Sequence, residues 1–158
     1  MTRLEIRQAR RGEARRLAEL LAELAEERDG IASEPPIDLV ERTRAFADSI
    51  DGTIVAVAGD EIVGSIHVEP SRFGSGELGM GITRTWRGRG VGSALMAAAI
   101  EKARADGLHK LSLEVFPHNT AGIALYRRFG FVEEGRRIRH YRRASGELWD
   151  SLVMGLEL

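Results

Sequence analysis

The stretch TWRGRGVGSALM, Thr85 to Met96, sets Gly88, Gly90 and Gly92 around Arg89 and Val91 and then opens an apolar pattern. A glycine turn that leads into a helix presents outward N–H groups and partial positive charge, so it is an anion site. Two phosphate loops are excluded by spacing. In a G-x-G-x-x-G counted from Gly88, the last position falls on Ser93, and counted from Gly90 it falls on Leu95. A dinucleotide loop also follows directly on a first strand, whereas here Thr83 to Arg87 intervene and several elements come earlier. Glu114, near where a ribose-binding acid would stand, is the single point in its favour. No Gly-Lys-Ser/Thr is present, so the nucleoside-triphosphate P-loop fails as well.

Downstream of the loop, apolar spacing predicts a helix over Val91 to Ala105, with Gly107 in the cap position. KLSLEVF reads as a strand, and Asn119 or Thr120 caps a short helix that ends before Gly130. FVEEGRRIRHYRR and ELWDSLVMGLEL read as two final strands turning at Ser145-Gly146. Upstream, ELGMGIT is a strand, and TIVAVAGDEIVGSIHVE is a hairpin turning at Gly59-Asp60. Leu4 and Ile6 alternate as a first strand. Leu17, Leu20, Leu21 and Leu24 form the stripe of a first helix. A second helix places Leu39, Val40, Thr43, Phe46, Ala47 and Ile50 on one face. Strands and helices alternate without an internal boundary, which predicts one mixed α/β domain over residues 1–158.

The chain has 158 residues, 43% of them hydrophobic, and a formal net charge of −1, so no global field recruits nucleic acid or an acidic membrane. It contains no cysteine, which removes disulfides, thiolate catalysis and Cys-ligated zinc. His67, His109, His118 and His140 show no metal-ligand spacing. The charged N-terminus lacks a signal-peptide core, and no window suits a membrane span. A soluble, cytoplasmic protein is expected.

Arg87-Gly88-Arg89-Gly90-Val91-Gly92 resembles the pyrophosphate loop Q/R-x-x-G-x-G/A of the GNAT superfamily of N-acetyltransferases, with Arg87, Gly90 and Gly92 in the defined positions. LSLEVFPHNTAGIALYRRFGF is similar to that family's next block, and GELWDSLVMGLEL looks like its last strand. The resemblance runs in register from about Val55 to the C-terminus. It implies a twisted, mostly antiparallel mixed sheet of about six or seven strands flanked by helices. A parallel strand pair would splay apart to admit pantetheine.

The resemblance further implies acetyl-CoA as co-substrate and direct attack by an amine without an acyl-enzyme. The pyrophosphate would lie on Arg87, Gly88, Arg89, Gly90, Val91, Gly92 and Ser93. Backbone groups of Ile82 and Thr83 would meet pantetheine, and Asn119 would contact CoA. An alkyl amine with a pKa of about 10 must lose a proton before it attacks. Glu114, on a strand face shared with Ser112 and Phe116, matches the base of the subgroup that acetylates protein N-termini; Glu77 on the preceding strand is the rival. Tyr126, in Leu125-Tyr126, matches the acid that protonates the leaving thiolate.

The expected acceptor is a small primary amine such as an amino acid. A protein N-terminus and a non-catalytic acyl-CoA-binding role are the alternatives. Acceptor choice is expected in the Arg28–Ile37 and Pro70–Gly76 loops. The arginine run Arg136 to Arg143 reads as a solvated strand or a contact for an acidic substrate, with RNA binding as a third class of function. Many relatives pair through terminal strands, so a homodimer is compatible with the resemblance.

Overall fold

A computed structural model describes residues 2–158. The elements are β1 (Leu4–Gln8), α1 (Ala14–Glu26), α2 (Leu39–Asp48), β2 (Thr53–Ala58), β3 (Glu61–Pro70), β4 (Ser75–Ile82), α3 (Val91–Ala105), β5 (Lys110–Val115), α4 (Thr120–Arg128), β6 (Val132–Arg142) and β7 (Leu148–Glu157). The strands form one seven-stranded sheet in the order β1-β2-β3-β4-β5-β7-β6. Every neighbouring pair is antiparallel except β4 and β5. This is the mixed sheet the resemblance implies.

The sheet carries an apolar layer on each face, and β2 shows why. All six of its residues are buried. Ile54, Ala56 and Ala58 join the layer formed with α3 and α4, whereas Val55 and Val57 pack beneath α1. A continuous β-branched run is what a strand covered on both faces requires. Leu95 of α3 and Leu111 of β5 are fully buried in the first layer, and Leu17 and Leu20 of α1 lie in the second. Each such side chain contributes roughly 1.5–3 kcal/mol by leaving water.

Two expectations change. Leu21 is only half-buried, because Leu17, Leu20 and Leu24 already fill the contact with the sheet. On α2 no residue is buried and Val40 is 67% exposed, since the helix lies against α1 rather than on the sheet. Phe46 reaches the α1 layer, and Ile50 is buried in the turn that follows. The Asp38 carboxylate accepts from the N–H groups of Val40 and Glu41, each at 3.1 Å, and fixes the start of α2.

β6 is not a regular strand. Arg137 lies opposite Ser151 and Tyr141 opposite Trp149, so Ile138, Arg139 and His140 stand against the single residue Asp150. Asp150 holds this bulge by accepting from Arg139 N and Arg136 Nε, both at 2.7 Å. The even number of extra residues preserves parity, so Arg137 and Tyr141 face the same side only one strand repeat apart.

Candidate active site

The parallel ladder between β4 and β5 is short. It pairs Ser75 with Lys110, Gly76 with Leu111 and Glu77 with Ser112, and ends there. β4 continues to Ile82 and β5 to Val115, so the two strands part beyond Glu77. Thr83 N donates to Val63 O at 2.9 Å, which sets the alternation on the β3 side. The pairs Gly64–Ile82 and Ile66–Met80 are then the non-hydrogen-bonded ones. The backbone groups of Met80 and Ile82 therefore turn away from β3 and into the opening. Thr83 is placed differently from Ile82: its N–H is engaged by Val63, its carbonyl accepts from Trp86 N at 3.0 Å, and it is not among the residues lining the cavity.

The glycine loop closes one end of this opening. Gly88 and Gly90 have φ of 72° and 83°, a region that disfavours any side chain. Gly90 is the residue before α3, and Ala94 N reaches back to Gly90 O at 3.1 Å. The amides of Val91, Gly92 and Ser93 thus precede the first intrahelical bond. Gly92 is there for a different reason: a Cβ at this position would stand 3.0 Å from Leu125 and 3.2 Å from Ile82. It lets the start of α3 pack against α4 and β4. Arg87 Nε donates to Ile82 O at 3.0 Å, and its terminal nitrogens grip both Glu27 oxygens at 2.7 and 2.8 Å. That grip, with Arg84 nearby, holds the Glu27 carboxyl below its ordinary range. Arg89 lies off the cavity, its guanidinium 4.9 Å from the Trp86 ring centre.

A cavity of about 680 Å³ runs from this loop between α3 and α4, lined by Met80, Ile82, Arg87, Gly88 and the residues from Gly90 to Ser93. Free amides, two glycines at positive φ and a helix N-terminus suit a pyrophosphate. The apolar stretch past Met80 and Ile82 suits a pantetheine arm. On the far wall Asn119 caps α4 by accepting from Gly122 N at 3.0 Å, and it lines the cavity. Tyr126 lines it too, buried against Phe131, and burial holds its phenol above the usual tyrosine range.

Glu114 belongs to the other face of the sheet. Leu111, Leu113 and Val115 point into the α3–α4 layer, so Ser112 and Glu114 point the opposite way. Glu114 does not line the cavity that contains Tyr126. Ser151 Oγ donates to Glu114 Oε1 at 2.7 Å, and Arg137 Nε stands 3.3 Å from the same oxygen. The Tyr141 phenol is raised, first by burial and then by Glu114, with a smaller push from Glu77. Glu77, Glu114, Arg137, Tyr141 and Ser151 therefore share a polar patch on this side.

Above it, Phe116, His118, Tyr141 and Trp149 form an aromatic cluster. The loop after α1 is held over this side from two directions. His118 Nε2 lies 2.9 Å from Asp29 Oδ1, and buried Arg143 donates to Ala32 O at 3.0 Å. Sequence reasoning missed Glu27 and Ser151 as site-forming residues, and it took Arg137 and Arg143 only as members of the run Arg136 to Arg143, read as a solvated strand or an acidic-substrate contact. The period-two alternation of the last strands carried the signal for Ser151, but the bulge in β6 hid that of Arg137.

The sequence pattern described as the acetyltransferase (GNAT) family matches residues 14–131. Over 115 residues the chain is 35% identical to an L-methionine sulfoximine/L-methionine sulfone acetyltransferase of Pseudomonas paraeruginosa, covering 67% of each chain. It is 31% identical over 109 residues to an L-amino acid N-acetyltransferase of Escherichia coli, covering 64% of this chain and 65% of that one. Among solved structures it is similar to a ribosomal-protein-alanine N-acetyltransferase of Brucella melitensis, with a TM-score of 0.88 and 30% identity over 98% of this chain and 99% of that one.

Proposed function

The chain belongs to the GNAT acetyltransferase family and is an acetyl-CoA-dependent N-acetyltransferase, and from that premise we propose that its acceptor is the amino group of a free amino acid or a close analogue. The observation that carries the proposal is the polar patch at the splay, where the Glu114 carboxylate is fixed by Ser151 beneath a roof clamped by His118 and Arg143. An extended peptide needs an open groove, and the clamps that fasten the loop after α1 over this side favour a small amine. The two acetyltransferases above that are named for amino acids or their analogues support the same reading.

Acetyl-CoA supplies the thioester carbonyl that the amine nitrogen attacks. The amides of Val91, Gly92 and Ser93 hold its pyrophosphate, and Met80 and Ile82 offer backbone groups to its pantetheine. Glu114 accepts the ammonium proton, directly or through one water, and frees the nitrogen lone pair. The C–N bond forms, the C–S bond breaks, and Tyr126 gives its phenolic proton to the departing sulfur, while the second proton shed by the nitrogen as it becomes an amide restores the phenol through solvent. Its raised pKa keeps that proton in place at neutral pH.

A protein N-terminus is the second reading, favoured by the likeness to the Brucella enzyme. CoA release measured over a panel of free L-amino acids, L-methionine sulfone and short peptides beginning with alanine separates the two. Turnover of one or more free amino acids at a kcat/KM at least tenfold above every peptide is expected. Peptide turnover that exceeds all of them would give the acceptor to protein N-termini.

A further inference from the structure

The arginine run on β6 is not used by the chemistry above, yet one of its members stands inside the acceptor side. Arg136 pairs with Asp150, and Arg142, opposite Leu148, faces away from Tyr141. Arg139 sits in the bulge at a φ of 50°. Arg137 alone among the β6 arginines turns onto the face of Ser151 and Glu114, because the bulge begins directly after it. Its side chain is 50% exposed, so its guanidinium fork is open to a ligand while Nε stays beside Glu114.

Resting on the amino-acid reading above, we propose that Arg137 is the specificity residue that binds the acceptor's α-carboxylate while Glu114 receives the adjacent ammonium. In an α-amino acid the nitrogen lies about 2.5 Å from the carboxyl carbon, across one tetrahedral carbon. Recognition of both groups at once demands an anion and a cation side by side. Glu114 Oε1 and Arg137 Nε, 3.3 Å apart, are such a pair. Ser151 keeps the carboxylate from swinging after the arginine, since it bonds the same oxygen at 2.7 Å. A planar guanidinium grips a carboxylate through two parallel N–H bonds, which an ammonium group cannot reproduce. His140, with Nε2 at 3.4 Å from Arg137 Nη1, limits the fork on its bulge side. A simple alkylamine could still meet Glu114 with its ammonium, but it would leave the Arg137 fork without a carboxylate and forgo that part of the binding.

The test compares L-methionine sulfone with its decarboxylated counterpart, 3-(methylsulfonyl)propan-1-amine, in CoA-release assays at saturating acetyl-CoA. The unaltered protein should prefer the amino acid by tenfold or more in kcat/KM. Arg137→Ala should raise KM for the amino acid by ten- to hundredfold and abolish the preference, with acetyl-CoA KM unchanged. Arg137→Lys should recover part of the preference. Calorimetric titration of each variant with CoA establishes that the fold and the cofactor side are intact. If Arg137→Ala keeps the preference, or loses both acceptors equally through kcat, Arg137 does not read the carboxylate. If the unaltered protein acetylates both compounds equally well, the inference fails while acetyl transfer to small amines stands. Failure to acetylate any free amino acid would overturn the acceptor reading and this inference with it.

Discussion

Glu114 and Tyr126 approach the splay from opposite faces of the sheet, and this sets what each can do. Tyr126 shares its cavity with the glycine loop, whereas Glu114 sits with Ser151 and Arg137 on the α1 side. A base and an acid on opposite sides of a thioester would separate the incoming proton from the outgoing one. Glu114→Gln keeps the side-chain oxygen that accepts from Ser151 and removes the proton acceptor. It should depress turnover at neutral pH by about 10²–10⁴. Raising the pH toward the amine's own pKa of about 10 should restore part of it, because solvent then supplies free amine. Tyr126→Phe should lower turnover toward the smaller end of that range, leave CoA affinity unchanged and gain nothing from high pH. With its pKa raised, the Tyr126 phenol stays protonated past the ordinary tyrosine range, so the basic limb attributable to it lies higher than that of a free phenol. The pH–rate profiles of both variants with one acceptor decide the matter. A wild-type profile for Glu114→Gln together with lost activity for Glu77→Gln would move the base to β4.

At the scale of elements, Gly90 at the end of the loop between β4 and α3 and Gly92 in the first turn of α3 act by different physics. Gly90 needs its left-handed φ of 83° and has open space around it, while Gly92 needs the absence of a Cβ against Leu125 at 3.0 Å. Gly90→Val should therefore weaken CoA binding at least tenfold in a protein whose melting temperature falls by only a few degrees. Gly92→Val should lower the melting temperature more, since overpacking costs about 1–3 kcal/mol. Calorimetry and thermal melts read the two effects separately. Equal CoA affinity in Gly90→Val and the unaltered protein would remove the loop from the pyrophosphate site.

The sequence made this loop legible because glycine spacing and the start of an apolar helix are local signals. α3 begins at Val91 and ends at Ala105, as its pattern predicts. The alternation in LSLEVF likewise placed Glu114 opposite the apolar residues. What the sequence did not show depends on pairing between distant segments. The hydrogen bond from Thr83 to Val63 removes Thr83 from the opening, and the pair Glu27–Arg87 joins residues 60 positions apart. The bulge after Arg137 is visible only once β7 supplies Asp150 as its single opposing residue.

At the scale of the whole molecule, the N-terminal and C-terminal thirds meet over the proposed acceptor side through one buried cation. Arg143, 4% exposed, lies 4.3 Å from the Trp149 ring centre and 5.4 Å from that of Phe116. Its nitrogens donate to Ala32 O at 3.0 Å, Ile31 O at 3.4 Å and Arg28 O at 3.5 Å, and one stands 3.7 Å from Glu34. Glu34 in turn accepts from Ala144 N at 2.7 Å. The hairpin between β6 and β7 is thereby fastened to the loop between α1 and α2, and the same loop contributes Gly30 and Ile31 to the cavity wall. Arg143→Met keeps the bulk but leaves three carbonyls and a carboxylate without their cation. Breaking a buried pair from one side costs about 3–5 kcal/mol, and about 1 kcal/mol corresponds to roughly 2–4 °C for a chain of this size. The melting temperature should therefore fall by roughly 6–20 °C. The acceptor KM should rise more than that of acetyl-CoA, because the roof over Glu114 loosens while the start of α3 stays packed. Glu34→Gln should cost less, and the double variant should cost less than the two single changes together, since both act on one clasp. Additive losses would mean that the hairpin and the loop are held independently, and the acceptor side would then lack the rigid roof on which the choice of a small amine depends.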